Sequence, residues 1–162
     1  MIQATRFLVD RNQLATTRVD TQPCSGANDL APGEVLLKID QFAFTANNIT
    51  NAALCDALRY CEFFTDGDPG MGIIPVWRFA DVEASRCDGI GVGERSYGFF
   101  GMTSHLVVSP VQVSAGSFVD ATAHRNGLPL IYNQYLRCHH DSLYTADTEA
   151  LQMLLRPLFT TS

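Results

Sequence analysis

The alternation of apolar and polar positions is clearest in "EVLLKIDQFAFT". Val35, Leu37, Ile39, Gln41 and Ala43 fall on one face, and Leu36, Lys38, Asp40, Phe42 and Phe44 on the other. A period of two over this length predicts a strand. Before it, "TRFLVD" and "ATTRVDTQP" predict a hairpin. After it the period changes. In "TANNITNAALCDALRY", Ile49, Ala52, Ala53 and Asp56-Ala57 predict a helix, with Thr45, Asn47 or Asn48 to cap it. "FFTDGDPGMG" is a loop, and "IIPVWRFADVEAS" is strand again, starting at Pro75. "RSYGFFG" and "SHLVVSP" add two short strands. Further on, "IYNQYL" reads as a short helix, and "TADTEALQMLLRP" as a helix from about Ala146, with Glu149 in its first turn and Pro157 stopping it. The pattern predicts a mainly β fold with a few helices, α+β in class.

Composition narrows the function classes. The chain has 162 residues, enough for one domain with a real core. Hydrophobic residues make up 46% and charged ones 17%, so it should fold. The net charge of -6 and the absence of any Lys/Arg cluster argue against nucleic acid as a partner. No apolar run spans a membrane, "GLPLIY" being far too short. The start, "MIQATRFLVDRNQ", is interrupted by Arg6 and Asp10 and does not read as a signal peptide. Cys24, Cys55, Cys61, Cys87 and Cys138 form no CxxC pair, which reads as free or buried thiols in a reducing cytoplasm. Lys38 is the only lysine, and an ion pair with Asp40 explains it better than Schiff-base chemistry.

"CDGIGVGERSYGFFG" offers glycines at 89, 91 and 93. A dinucleotide fingerprint needs G-x-G-x-x-G between a strand and a helix. The third glycine position is Glu94 in one register and Ser96 in the other, and an aromatic strand follows. The stretch therefore predicts a tight turn with positive φ rather than a phosphate loop. "CHHD", Cys138 to Asp141, holds adjacent histidines that rarely converge on one ion, so no metal site is expected there.

Three segments in order, "PGEVLLKIDQFAFTANNIT", "IPVWRFADVEAS" and "GVGERSYGFFGMTSHLVVSP", carry a resemblance. The chain resembles the catalytic, GroES-like domain of the medium-chain dehydrogenase/reductase superfamily, strongest from Pro32 to Pro110. It is closest to an uncharacterised bacterial family within it, labelled only as a domain of unknown function. The resemblance implies a partly open Greek-key β-barrel over residues 1–145. Residues 146–162 would then be a helix and the start of the crossing to a Rossmann domain, supplied in cis or in trans, that this chain lacks. A seam left bare by that absence invites a homodimer.

The resemblance also implies a site. The zinc-dependent branch places Cys where Thr45 stands and His-Glu where Trp77 and Arg78 stand, so no zinc is expected. What remains is the zinc-independent branch, in which NADP or NAD delivers hydride to a quinone or enone. Asn47, Asn48 or the Thr45 hydroxyl would hold the carbonyl oxygen. The alternative for the asparagines is a helix cap. The tyrosine that such reductases carry a few residues downstream is missing; Thr50 and Asn51 stand nearby and the next tyrosine is Tyr60. Arg78 shares a strand face with Val76, Ala80 and Val82. Inward, it meets a cofactor phosphate or substrate anion; outward, it is solvated. Trp77 and Tyr97 line a substrate cleft or belong to the core. A non-catalytic β-barrel interaction module is the competing function.

Overall fold

The computed structural model describes residues 1–65 and 67–160. Asp66, within the expected 63–72 loop, and Thr161 and Ser162, at the end of the expected crossing, lie outside them. The predicted hairpin is β1 (Ile2–Asp10) and β2 (Thr17–Cys24), with Phe7 opposite Val19. A two-residue strand, β4 (Met71–Gly72), pairs with the other edge of β1.

The large sheet carries β3 (Val35–Phe42), β5 (Pro75–Ser85), β6 (Arg95–Gly101), β7 (His105–Val108), β8 (Pro110–Val111), β9 (Ser117–Asp120) and β10 (Gln134–Arg137). Its order is β7-β3-β5-β6-β10-β9-β8, antiparallel throughout. Three successive strands, β3, β5 and β6, lie side by side, and β7 returns to the free edge of β3. That order is a Greek key. The small sheet is tied to the large one where Phe7 N donates to Met102 O and Ser104 N to Thr5 O, each at 2.9 Å. The result is a mainly β, partly open barrel.

The core follows from alternation. Val35, Leu37 and Ile39 of β3 pack with Ala80 and Val82 of β5, and with Phe100, Phe118 and Tyr135. A second cluster joins Leu8 and Val9 to Phe63, Phe64, Val76 and Phe99. Fully burying such a side chain contributes about 1.5–3 kcal/mol. β6 is buried from Ser96 to Gly101, as the middle of a sheet covered on both faces must be.

The helical elements are α1 (Ala46–Ala53), α2 (Glu149–Leu155) and α3 (Pro157–Thr160). A 3-10 turn at Ala146–Thr148 opens α2 at the position expected for the helix start. Pro157 does not stop the helical path but begins α3, because proline suits the first turn, where its missing N–H is not needed. "IYNQYL" is not a helix. It is the end of a 3-10 turn, Leu130–Tyr132, followed by β10, since edge pairing with β6 and β9 outweighs local propensity. The glycine stretch is a turn between β5 and β6, with φ of 83° at Gly89 and 85° at Gly93. Lys38 does not pair with Asp40, whose carboxylate goes to Arg95 at 3.1 Å. Cys55 and Cys61, expected as separate thiols, are joined as a disulfide with Cα atoms 5.1 Å apart, because the turn after α1 folds the chain back on itself. Among the described residues, no helix is long and apolar enough to cross a membrane.

Candidate functional site

One cavity of about 180 Å³ sits where α1, β5, β6 and α2 meet. Its polar side comes from the N-cap of α1, Thr45, and from Asn47, Asn48 and Asn51 of the helix itself. Its aromatic side is Trp77, Phe99, Tyr60 and Tyr132. Met153 and Leu154 of α2, with Pro157 and Leu158, close it from above.

The polar side is built by a helix cap. The Thr45 N–H donates to Asn48 Oδ1 at 2.7 Å, and the Thr45 hydroxyl donates to the same oxygen at 3.2 Å. Asn48 Nδ2 donates to Pro75 O at 3.0 Å. Asn48 is buried and its amide is spent on anchoring α1 to β5. Asn47, one position earlier, is exposed at the cavity rim, and its amide makes no hydrogen bond among the described residues. Of the two asparagines, Asn48 is the structural one and Asn47 the one available to a ligand.

The aromatic side is a packed ring cluster. Trp77 lies 5.3 Å from Phe99 between ring centroids, and Phe99 lies 4.6 Å from Tyr132. The Tyr60 and Tyr132 hydroxyls are 3.4 Å apart, within hydrogen-bond range. One phenolic hydrogen fills that bond, and the other is left to donate. Burial, with the Tyr60 hydrogen bond adding to it, pushes the Tyr132 phenol up to about 12, so it stays a neutral donor. Tyr132 was not legible in the sequence. It arrives from a 3-10 turn seventy-odd positions after Tyr60 (|i−j| of 72), and no spacing rule links the two.

Tyr97 is brought next to Trp77, stacked at 5.5 Å and 19° between planes, but it is 1% exposed and lies beneath the tryptophan rather than in the cavity wall. Arg78 is also buried, 3% exposed, on the opposite face of β5 from Trp77. It donates to Gln41 O, Gly101 O and Thr103 O, and it does not line this cavity.

The residues that the resemblance sets at zinc-ligand positions, Thr45, Trp77 and Arg78, supply no thiolate, imidazole or carboxylate, so this donor set does not fit zinc. Among the described residues, no group of three His, Cys, Asp or Glu side chains is placed to hold a metal ion. A nucleotide diphosphate does not fit the glycine turn either. Glu94 accepts from Gly91 N–H and pairs with Arg137, so a carboxylate already fills the place a phosphate would take.

α2 is latched over the cavity by charge. Arg95 pairs with Glu149, at 2.7 Å through Nη2, and also with Asp81 at 2.9 Å. Tyr144 donates to Glu149 at 2.7 Å. Chiefly through the Arg95 hydrogen bond, the Glu149 carboxyl is held below its ordinary value. A depressed carboxylate stabilises the fold above its unfolded pKa, and that contribution fades as pH falls through the folded one. Acidification below about pH 4.3 should therefore release α2 first. Deuterium exchange of residues 149–155 against pH checks this. Protection, after correction for the intrinsic pH dependence of amide exchange, should fall on acidification in the native chain and be already low, and flat in pH, in Arg95→Met.

The solved structures include a similar one, described as an NADPH:quinone reductase from Bacillus thuringiensis, with a TM-score of 0.52 and 12% identity. The match covers 98% of this chain but 39% of that one, so the chain spans well under half of that protein's length. At this identity the likeness concerns the fold, a GroES-like barrel. No curated protein matches the sequence. The model of a family described as a protein of unknown function, DUF2855, matches residues 42–162, which include every polar and aromatic residue of the cavity wall. The chain belongs to the DUF2855 family.

Proposed function

We propose that this chain is the substrate-binding half of a zinc-independent, NAD(P)H-dependent reductase of quinones or enones. The observation that carries this reading is the two-sided cavity. Flat aromatic walls at Trp77, Phe99 and Tyr132 suit a planar conjugated ring. Donors at Asn47 and the Tyr60–Tyr132 pair suit a carbonyl oxygen that gains negative charge as the ring is reduced. The chain's own contribution is binding, orientation and stabilisation of that oxygen. The hydride would come from a nucleotide held by a second unit, in cis or in trans, since the glycine turn does not suit a diphosphate. Support for such a unit comes from the apolar side chains around the cavity roof. Leu151, Leu154, Leu155, Leu158 and Phe159 are all exposed, Phe159 at 82%. A second copy of this chain is the other candidate for covering them.

Trp77 is the only tryptophan, so the cavity reports on itself. Calorimetric titration with a 1,4-naphthoquinone should give saturable binding, and Trp77 emission should change over the same concentrations. Tyr132→Phe and Asn47→Ala should each weaken binding about tenfold, the loss of one hydrogen bond of about 1.4 kcal/mol. A titration with no saturable heat would overturn the proposal and leave the interaction-module reading. Unchanged affinity in both variants would remove the residue assignments.

A further inference from the structure

A second cavity, of about 310 Å³, lies on the other side of β5, between the β1–β2 hairpin and the β3 bulge. Its walls are mainly apolar: Phe7, Val19, Ile39, Phe42 and Met102. Two arginines line it, Arg6 and Arg78, and both are buried. Their charges are handled differently. Arg6 is neutralised by Asp20, with Nε to Oδ1 at 3.0 Å and Nη2 to Oδ2 at 3.2 Å. Arg78 has only carbonyl partners. Nε donates to Gln41 O at 3.3 Å, and Nη1 donates to Gly101 O at 2.7 Å and Thr103 O at 3.2 Å. Its guanidinium also lies 5.0 Å from the centre of the Phe42 ring. Nη2 makes no hydrogen bond among the described residues, and it is not sealed from solvent. The one lining carboxylate, Asp40, is paired with Arg95.

Burying this charge is costly, and desolvation pulls the Arg78 guanidinium down to about 10, with the nearby Asp40 carboxylate offsetting only part of the effect. Three carbonyls orient the group but carry no full negative charge. A guanidinium fixed in place, with two N–H bonds still unspent, is a preorganised anion receptor. The wall around it disfavours a bare, strongly hydrated ion such as phosphate. It favours an anion with an apolar body.

We infer that this second cavity is a binding site for a small monocarboxylate with an apolar body, its carboxylate held by Arg78 Nη2 and its hydrocarbon part against Phe7, Phe42 and Met102. The site is separate from the aromatic cavity, and its test does not depend on that cavity's function. Octanoate, octanol and inorganic phosphate are the probes, titrated into the full chain by calorimetry. Octanoate should bind saturably, at least tenfold tighter than octanol, and phosphate should give no saturable heat.

Two variants separate binding from folding. Arg78→Met should abolish the preference for octanoate over octanol. Because Arg78 also ties down three carbonyls, that variant can lose the fold, so a second is needed. Val19 is 65% exposed at the cavity rim, so a substitution there should spare the fold. Val19→Glu removes part of the apolar wall for both probes, but like-charge repulsion acts on the carboxylate alone, so octanoate should be weakened several-fold more than octanol. Equal affinity for octanoate and octanol, tight binding of phosphate, or octanoate affinity unmoved by Val19→Glu would each overturn the inference.

Discussion

Replacing Arg125 by methionine should lower the unfolding free energy by about 3–5 kcal/mol, the cost of stranding the other half of a buried ion pair. Arg125 and Asp120 each have side chains 1% exposed, with Nε 3.2 Å from Oδ2. Asp120 cannot turn away to find water. Its Oδ1 accepts from Ser109 N, Thr122 N and the Thr122 hydroxyl, at 2.9, 3.0 and 2.6 Å. Arg125 in turn donates to the Tyr135 hydroxyl at 3.0 Å and lies 4.6 Å from the centre of the Phe64 ring. Removing it leaves a fixed carboxylate in a dry pocket and a phenol without its donor. Urea unfolding measures the loss. The double variant Asp120→Asn with Arg125→Met should recover part of it, because the stranded charge is gone. A loss under about 1 kcal/mol for the single variant would mean that the pair is not sealed as described.

Gly98→Val should cost about 3 kcal/mol, at the upper end of the overpacking range. Gly98 sits in the middle of β6, opposite Arg78 on β5. A Cβ there would stand 2.9 Å from Cε1 of Tyr135 and closer still to Cδ1. The ring has no freedom to retreat. It is fully buried, stacked on Phe118 at 5.3 Å, and its hydroxyl donates to Phe99 O at 3.1 Å. Gly116 is the control: a Cβ there meets nothing within 4 Å, and Gly116→Ala should stay within about 0.5 kcal/mol. Comparable midpoints for the two variants in urea would sink the close-packing argument.

Both predictions rest on contacts that the sequence does not announce. β3 was legible because its side chains alternate between two faces, and Val35, Leu37 and Ile39 do pack on one of them. Pro75 was legible as a boundary, and Thr45 as one of three candidate caps with Asn47 and Asn48, because proline and an N-cap act locally. β8, β9 and β10 were not. They are two to four residues long and exist by pairing with each other and with β6, which no local window contains. The site divides the same way. Thr45, Asn47 and Trp77 were named because the resemblance points to their positions, and all three line one cavity. Tyr132 could not be named, since it follows a turn whose path is set by distant packing. Arg78 was readable as inward or outward from alternation alone. Only the barrel shows it buried among carbonyls, facing a different space from Trp77.

The Greek-key order of the large sheet bears on how a new chain acquires its shape. β1 with β2, and β5 with β6, close short loops and can form within microseconds. β3 has to wait for β7, which is made only after α1, β5 and β6. Closing so long a loop costs entropy before any contact repays it, and such steps are slow. Until then β3 offers an unpaired edge, with Val35, Leu36 and Leu37 beside it, to whatever passes. The interval between the emergence of β3 and that of β7 is when this polypeptide is most open to a wrong partner.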